Sequence, residues 1–286
     1  MIKRPALLYG CLAGAAALLL ILASFWDLEI SHALCHPENL FARFMEAYGG
    51  LPAYCIPPFA AAILFAWQYK TSSRQFKAGI LALLFILGIA GWLILLTELL
   101  GFPQHTALLI SVLCTICGVF AAIRIPQDTL EKLRRFASFA LAVLLLTLVT
   151  VSLLKTFWGR ARFRTMLADG DFSSFSFWFL PQGITGHQSF PSGHTASASS
   201  VFVLAALGDF FPKLQKKELL FFWIAFLYTG AVALSRMIAG AHFLSDVTVG
   251  AVIGILFFAL IRRAFRQAEQ EKREYAQVDS ADSSCS

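Results

Sequence analysis

The chain has 286 residues, 58% hydrophobic and 14% charged, with a mean hydropathy of +0.71, a net charge of +6 and a pI near 9.1. A water-soluble domain of this length cannot hide so much apolar surface, and 28 Phe with so little charge exclude a disordered chain, so the solvent is lipid. A basic pI by itself suggests nucleic acid, but the placement of the charges, followed below, accounts for it without that partner.

In chain order, Lys3 and Arg4 precede an apolar run from Ala6 to Trp26, long enough for a first membrane span and too long for a cleaved signal. Residues 27–50 are mixed and polar and read as an external loop with a short interfacial helix. Further spans are predicted at about 51–69, where Pro57 and Pro58 sit near the entry, and at about 78–98, 106–123 and 136–154. Basic turns at 70–77 and 124–135 separate them. A long polar segment, 155–194, leads into a sixth span at about 195–211. A seventh follows at about 219–235, and an eighth ends near Ile261. Three regions result: five spans in 1–154, a motif region with three spans in 155–262, and a polar, partly disordered tail in 263–286. The predicted fold is an all-α helical membrane bundle of about eight spans.

The six cysteines do not read as a disulfide framework in so apolar a chain. Cys114 and Cys117 form a CxxC inside an apolar run with no His or acid beside it. Pairing of Cys35 with Cys55 is the lesser alternative to free thiols. With the N-terminus inside, 17 of the 23 Lys and Arg fall on inside segments, which places both termini in the cytoplasm. The six outside are Arg43, Lys155, Arg160, Arg162, Arg164 and Arg236, and five of these lie in or beside three polar clusters. That departure from the charge bias calls for an anionic ligand.

The clusters are KTFWGRAR with Lys155 and Arg162, SFPSGHT with Ser192, Gly193 and His194, and SRMIAGAHFLSD with Ser235, Arg236, His242 and Asp246. All fall at span ends on one side. Pro191 suits a helix start, Gly193 admits an anion close to the backbone, and Ser192 adds a hydroxyl. Arg162 and Arg236 suit bidentate contacts to phosphate oxygens, and Lys155 adds a point charge. His242 and Asp246, four apart, share a helix face, so the acid can fix one ring nitrogen while the other attacks phosphorus. His194 is then the general acid for the leaving oxygen. Arg160, Arg164 and His187 are candidates for head-group contacts, against an alternative of plain interfacial placement. His32, His36 and His105 read as surface residues. The aromatic stretch 172–179 reads as an interfacial belt, or as a lip for lipid chains formed by Phe175, Phe177, Trp178 and Phe179.

These three motifs, in this order and spacing, resemble the type 2 phosphatidic acid phosphatase superfamily, whose pattern is K-x6-R-P, P-S-G-H and S-R-x5-H-x3-D. The motif region covers residues 155–246; Phe163 stands where the family usually has Pro. The resemblance implies a six-span core, leaving two extra spans before Lys155. It also implies metal-independent hydrolysis through a phosphohistidine on His242, with Asp246 orienting it and His194 as acid, and with Lys155, Arg162, Ser192, Gly193 and Arg236 holding phosphate. No cofactor is expected. The expected partner is a phosphorylated lipid: undecaprenyl diphosphate, phosphatidylglycerophosphate, phosphatidate or a lipid A phosphate. It would be met at the external or periplasmic face of the cytoplasmic membrane, and the oligomeric state is left open. A lipid phosphotransferase using the same phosphohistidine is the nearest alternative. A transporter, for which Glu98 would be the main ionisable candidate, is the remote one.

Overall fold

In hydrocarbon every backbone N–H and C=O needs a partner inside the chain, so apolar runs of this length become helices. The structure is a computed structural model that describes residues 4–71 and 77–284. Lys3, the basic turn around Arg74 and Cys285 lie outside the described residues. In order, the helices are α1 (Arg4–Leu34), α2 (Leu40–Tyr48), α3 (Leu51–Thr71), α4 (Lys77–Ile94, continued by a π turn, Leu95–Leu99), α5 (Gln104–Ile123), α6 (Gln127–Trp158), α7 (Phe163–Asp169), α8 (Gly193–Ala198), a 3-10 stretch (Ser199–Ala206), α9 (Leu207–Phe210), a 3-10 turn (Pro212–Lys217), α10 (Glu218–Ile238) and α11 (Leu244–Ser284). No strand occurs among the described residues. Among the described residues, seven helices are long and apolar enough to cross a membrane. Their outer faces carry side chains that would be costly in water, among them Leu83 at 67%, Leu109 at 73% and Leu227 at 67% exposure.

Two features depart from the expected layout. Residues 27–34 are not loop: α1 breaks its helical geometry at Trp26 (φ −131°, ψ 18°) and runs on to Leu34, turning Asp27 into the protein. The expected sixth span is a composite of α8, the 3-10 stretch and α9. A 3-10 helix rises about 2.0 Å per residue against 1.5 Å for an α-helix, so these residues reach about 31 Å, roughly the hydrocarbon thickness. The tail continues as helix: α11 has 41 residues and extends well past any bilayer edge. The five described cysteines, Cys11, Cys35, Cys55, Cys114 and Cys117, are free, so Cys35 and Cys55 do not pair.

Packing follows residue size. Gly250 and Gly254, one turn apart on α11, let the composite segment lie against the helix backbone; a Cβ on Gly250 would stand 2.5 Å from the Ser192 carbonyl oxygen. Below that approach, Phe139, Phe202, Phe210, Phe222 and Phe258 from α6, the 3-10 stretch, α9, α10 and α11 close the main core. At the end of this core away from the motifs, Asp209 of α9 accepts from Arg262 Nε (2.7 Å) and Arg266 Nη2 (2.6 Å) of α11, and Glu218 accepts from Arg262 Nη1 (2.8 Å). Helix α1 packs on α11, α2 on α10 and α3 on α6, whereas α4 and α5 pack chiefly on α3 and each other. Gly250→Ala is expected to cost about 1–3 kcal/mol through overpacking, read as a lower thermal midpoint in detergent.

Candidate active site

Helix ends, not helix middles, position the motif residues. Helix α10 closes with a Schellman turn: Gly240 is left-handed (φ +62°), its N–H donates to Met237 O (2.9 Å), and Ala241 N donates to Arg236 O (3.0 Å). His242 N also reaches that carbonyl, at 3.3 Å, so the spacing from Arg236 to His242 is the length of this cap. Helix α11 then begins with Asp246 in its first turn, where its Oδ2 accepts from Phe243 N (3.0 Å), the backward half of a capping box. Helix α6 ends at Gly159 (φ +61°), where a Cβ would stand 2.1 Å from Gly183 O, so only glycine fits. Arg162 is the N-cap of α7 and Phe163 its first residue, the position a proline also suits. The Phe163 side chain is fully buried, in contact with Phe243, Phe172 and His32.

Ser192 caps α8, its Oγ accepting from Thr195 N (3.4 Å) and Thr195 Oγ1 (3.0 Å), which leaves its own proton to donate. Ser192 N donates to Asp246 O (2.9 Å), so the second motif is docked directly on the third. The first motif joins through Lys155, whose Cε would lie 3.4 Å from a Cβ on Gly193 and whose Nζ donates to Gln188 O (2.7 Å). Arg164 N donates to Gly240 O (2.7 Å).

The resulting centre has unused donors. Arg236 is 1% exposed, yet its Nε and Nη1 are buried without a partner; Nη2 donates to Glu46 Oε1 (2.9 Å). Arg162 makes no ion pair or side-chain hydrogen bond among the described residues. His242 Nδ1 lies 3.7 Å from Asp246 Oδ2, beyond hydrogen-bond reach, and is likewise buried without a partner. Five cations (Lys155, Arg160, Arg162, Arg164, Arg236) face three carboxylates (Asp27, Glu46, Asp246), leaving two positive charges over. A buried guanidinium with donors left unsatisfied is expensive, and an anion there satisfies those donors together with the surplus charge. Burial lowers the pKa of His242, in the turn between α10 and α11, to about 4, the approach of Asp246 opposing it and Lys155 and Arg236 reinforcing it, so its ring is neutral at pH 7.

Several residues differ from their expected placement. Arg160 is no head-group contact: it is 1% exposed, and all three of its nitrogens donate, Nη1 to Asp246 Oδ1 (2.6 Å) and Ser245 Oγ (2.7 Å), Nη2 to Asp27 Oδ2 (2.9 Å) and Nε to Ser176 O (2.9 Å). Arg164 is half-buried and 3.4 Å from Glu46 Oε1, while His187 is exposed on the loop between α7 and α8. That loop divides its aromatic residues. Phe175 packs on Phe243 and Trp178 donates to Ser24 Oγ (3.0 Å), whereas Phe177 and Phe179 stack on each other at the surface. Sequence reasoning missed Glu46, Ser189 and Asp27. Ser189 Oγ donates to Asp246 Oδ2 (2.5 Å) and directly precedes the aromatic–proline pair of the second motif, which was its one available signal.

A family model described as the PAP2 superfamily matches residues 136–270, from α6 into α11. Phosphatidylglycerophosphatase B of Bacillus subtilis (strain 168) is 37% identical over 76 residues, 26% of this chain and 37% of the relative. The chain thus spans little more than a third of the length of this curated relative. No solved structure matches.

Glu46 is the one carboxylate that competes for Arg236 from an exposed position. Glu46→Gln is expected to tighten inorganic phosphate binding about 2- to 5-fold, the worth of a half-exposed ion pair of roughly 0.5–1 kcal/mol, as read by calorimetry on protein in detergent.

Proposed function

We propose that this chain, a member of the PAP2 superfamily through its residues 136–270, is an integral-membrane lipid phosphatase acting at the external face. The observation that carries the reading is Arg236, buried with two unpartnered donors beside His242 and His194. Phosphatidylglycerophosphate is the first substrate to test, because the matched relative bears that name. The external placement rests on the charge distribution, since the motif end of the bundle is opposite the end where Arg262, Arg266, Asp209 and Glu218 cluster. The peripheral pair α4 and α5 is the natural candidate for the two spans beyond a six-span core.

The chemistry follows from which groups are free. Asp246 faces Nδ1 of His242, so Nε2 is the nitrogen that attacks phosphorus. As the N–P bond forms, the bond from phosphorus to the lipid oxygen breaks, and His194 gives that oxygen a proton. Lys155, Arg162 and Arg236, with the Ser192 hydroxyl and the backbone at Gly193, neutralise the charge on the five-coordinate phosphoryl group. Water then attacks the phosphohistidine, His194 takes its proton, and the N–P bond breaks to release phosphate. With these cations doing the neutralising, the reaction calls for no metal ion.

His242→Ala is expected to abolish phosphate release from phosphatidylglycerophosphate by purified protein in detergent, while EDTA leaves wild-type turnover unchanged. Unaltered release by His242→Ala would overturn the nucleophile assignment. The pH dependence of kcat/KM is a second check, since it reports the free reactants. Attack needs His242 unprotonated, so activity rises with pH through about 4. The proton that His194 passes to the leaving oxygen enters with the monoanionic phosphate, so activity falls as the substrate loses its second proton near a pH of roughly 6.

A further inference from the structure

A buried ionic cluster beside the site is joined from outside the matched segment. Asp27 of α1 is 3% exposed; its Oδ2 accepts from Arg160 Nη2 (2.9 Å) and from Ser245 Oγ, and its Oδ1 accepts from Ser245 N (3.1 Å). Arg160 in turn donates to Asp246 Oδ1 (2.6 Å), and its guanidinium lies 4.1 Å from the centre of the Phe243 ring. One guanidinium therefore serves two carboxylates, the nearer to the chemistry being Asp246.

We infer that Asp27 is a positioning residue for the proposed reaction: through Arg160 and Ser245 it fixes the Asp246 carboxylate and preserves the negative charge on which His242 depends. The argument is one of charge and geometry. Arg160 alone would neutralise Asp246, whereas Asp27, Arg160 and Asp246 together carry one net negative charge. Phosphorylation of Nε2 puts positive charge on the His242 ring, and that net charge is what stabilises it within the low-dielectric interior. Asp27 also holds Arg160 so that Oδ1 of Asp246 is taken and Oδ2 is turned towards Ser189, Phe243 N and the His242 ring. The kinked end of α1 is thus part of the machinery, although residues 136–270 hold every motif.

The inference rests on the phosphatase reading, so its test carries a separate control. Kinetics are measured on purified full-length protein in detergent with phosphatidylglycerophosphate. Asp27→Asn is expected to lower kcat on the order of 10- to 100-fold, as loss of partners one step from a reacting group typically does, with KM within about twofold of wild type. Asp27→Asn combined with Arg160→Gln restores the net charge and is expected to recover kcat about threefold or more over Asp27→Asn alone, which a merely structural contact would not do. Wild-type kcat in Asp27→Asn, a loss confined to KM, or a double variant no faster than the single one overturns the inference. If Asp27→Asn does not fold, Ser245→Ala decides: a lower kcat at unchanged KM supports the role, and wild-type kcat overturns it. Absence of phosphate release by the wild-type protein would instead sink the phosphatase reading, and an active wild type with an inactive His242→Ala beside a fully active Asp27→Asn would sink this inference alone.

Discussion

The structure of the site turns on one carboxylate that has no access to water. Asp246 is fully buried and accepts from Arg160, Ser189 and Phe243 N, while its backbone carbonyl accepts from Ser192 N. Each donor belongs to a different piece of chain: the turn after α6, the strand of loop before α8, the start of α11 and the cap of α8. A charge in so dry a place is tolerable only when paired and fully hydrogen-bonded, which makes these contacts mutually dependent. Arrangement of the three motifs into one centre follows from satisfying this group.

The lipid environment explains how such pieces come close. Helices in a bilayer gain little from hiding apolar side chains from one another, so small residues and polar contacts decide what meets. Gly250 and Gly254 set the distance between α11 and the composite segment, and Gly159 lets the chain turn back under the loop at Gly183. At the opposite end, Arg262 joins Asp209 to Glu218 and anchors the same segment to α11 and α10. The buried ion pairs of Asp246 and of Asp209 sit at opposite ends, with the aromatic core between them.

What could be read from the sequence was local. The spacing of Arg236 and His242 is a helix cap, which the backbone itself enforces, whereas His242 stands two residues before α11 and meets Asp246 of its first turn from outside the helix rather than along a shared helix face. A basic residue at a span end usually meets the interface, so Arg160 reads from sequence as an interfacial or head-group contact; only its pairing with Asp27, 133 positions away, shows otherwise. Glu46 pairs with Arg236 across 190 positions, and no periodicity reports such a contact. The composite segment was legible as apolar, but hydropathy says nothing about whether a run winds as α or 3-10.

That winding has a mechanical meaning. A 3-10 helix turns about 120° per residue and an α-helix about 100°. Rewinding Ser199–Ala206 into α form would shorten the segment by about 4 Å and rotate one end against the other by about 160°. His194 sits at one end of this screw, held by the bond from Ser192 N to the Asp246 carbonyl, and Asp209 sits at the other, gripped by Arg262 and Arg266. The two anchors act as end stops: with both engaged, the thread cannot advance, and the imidazole keeps its heading.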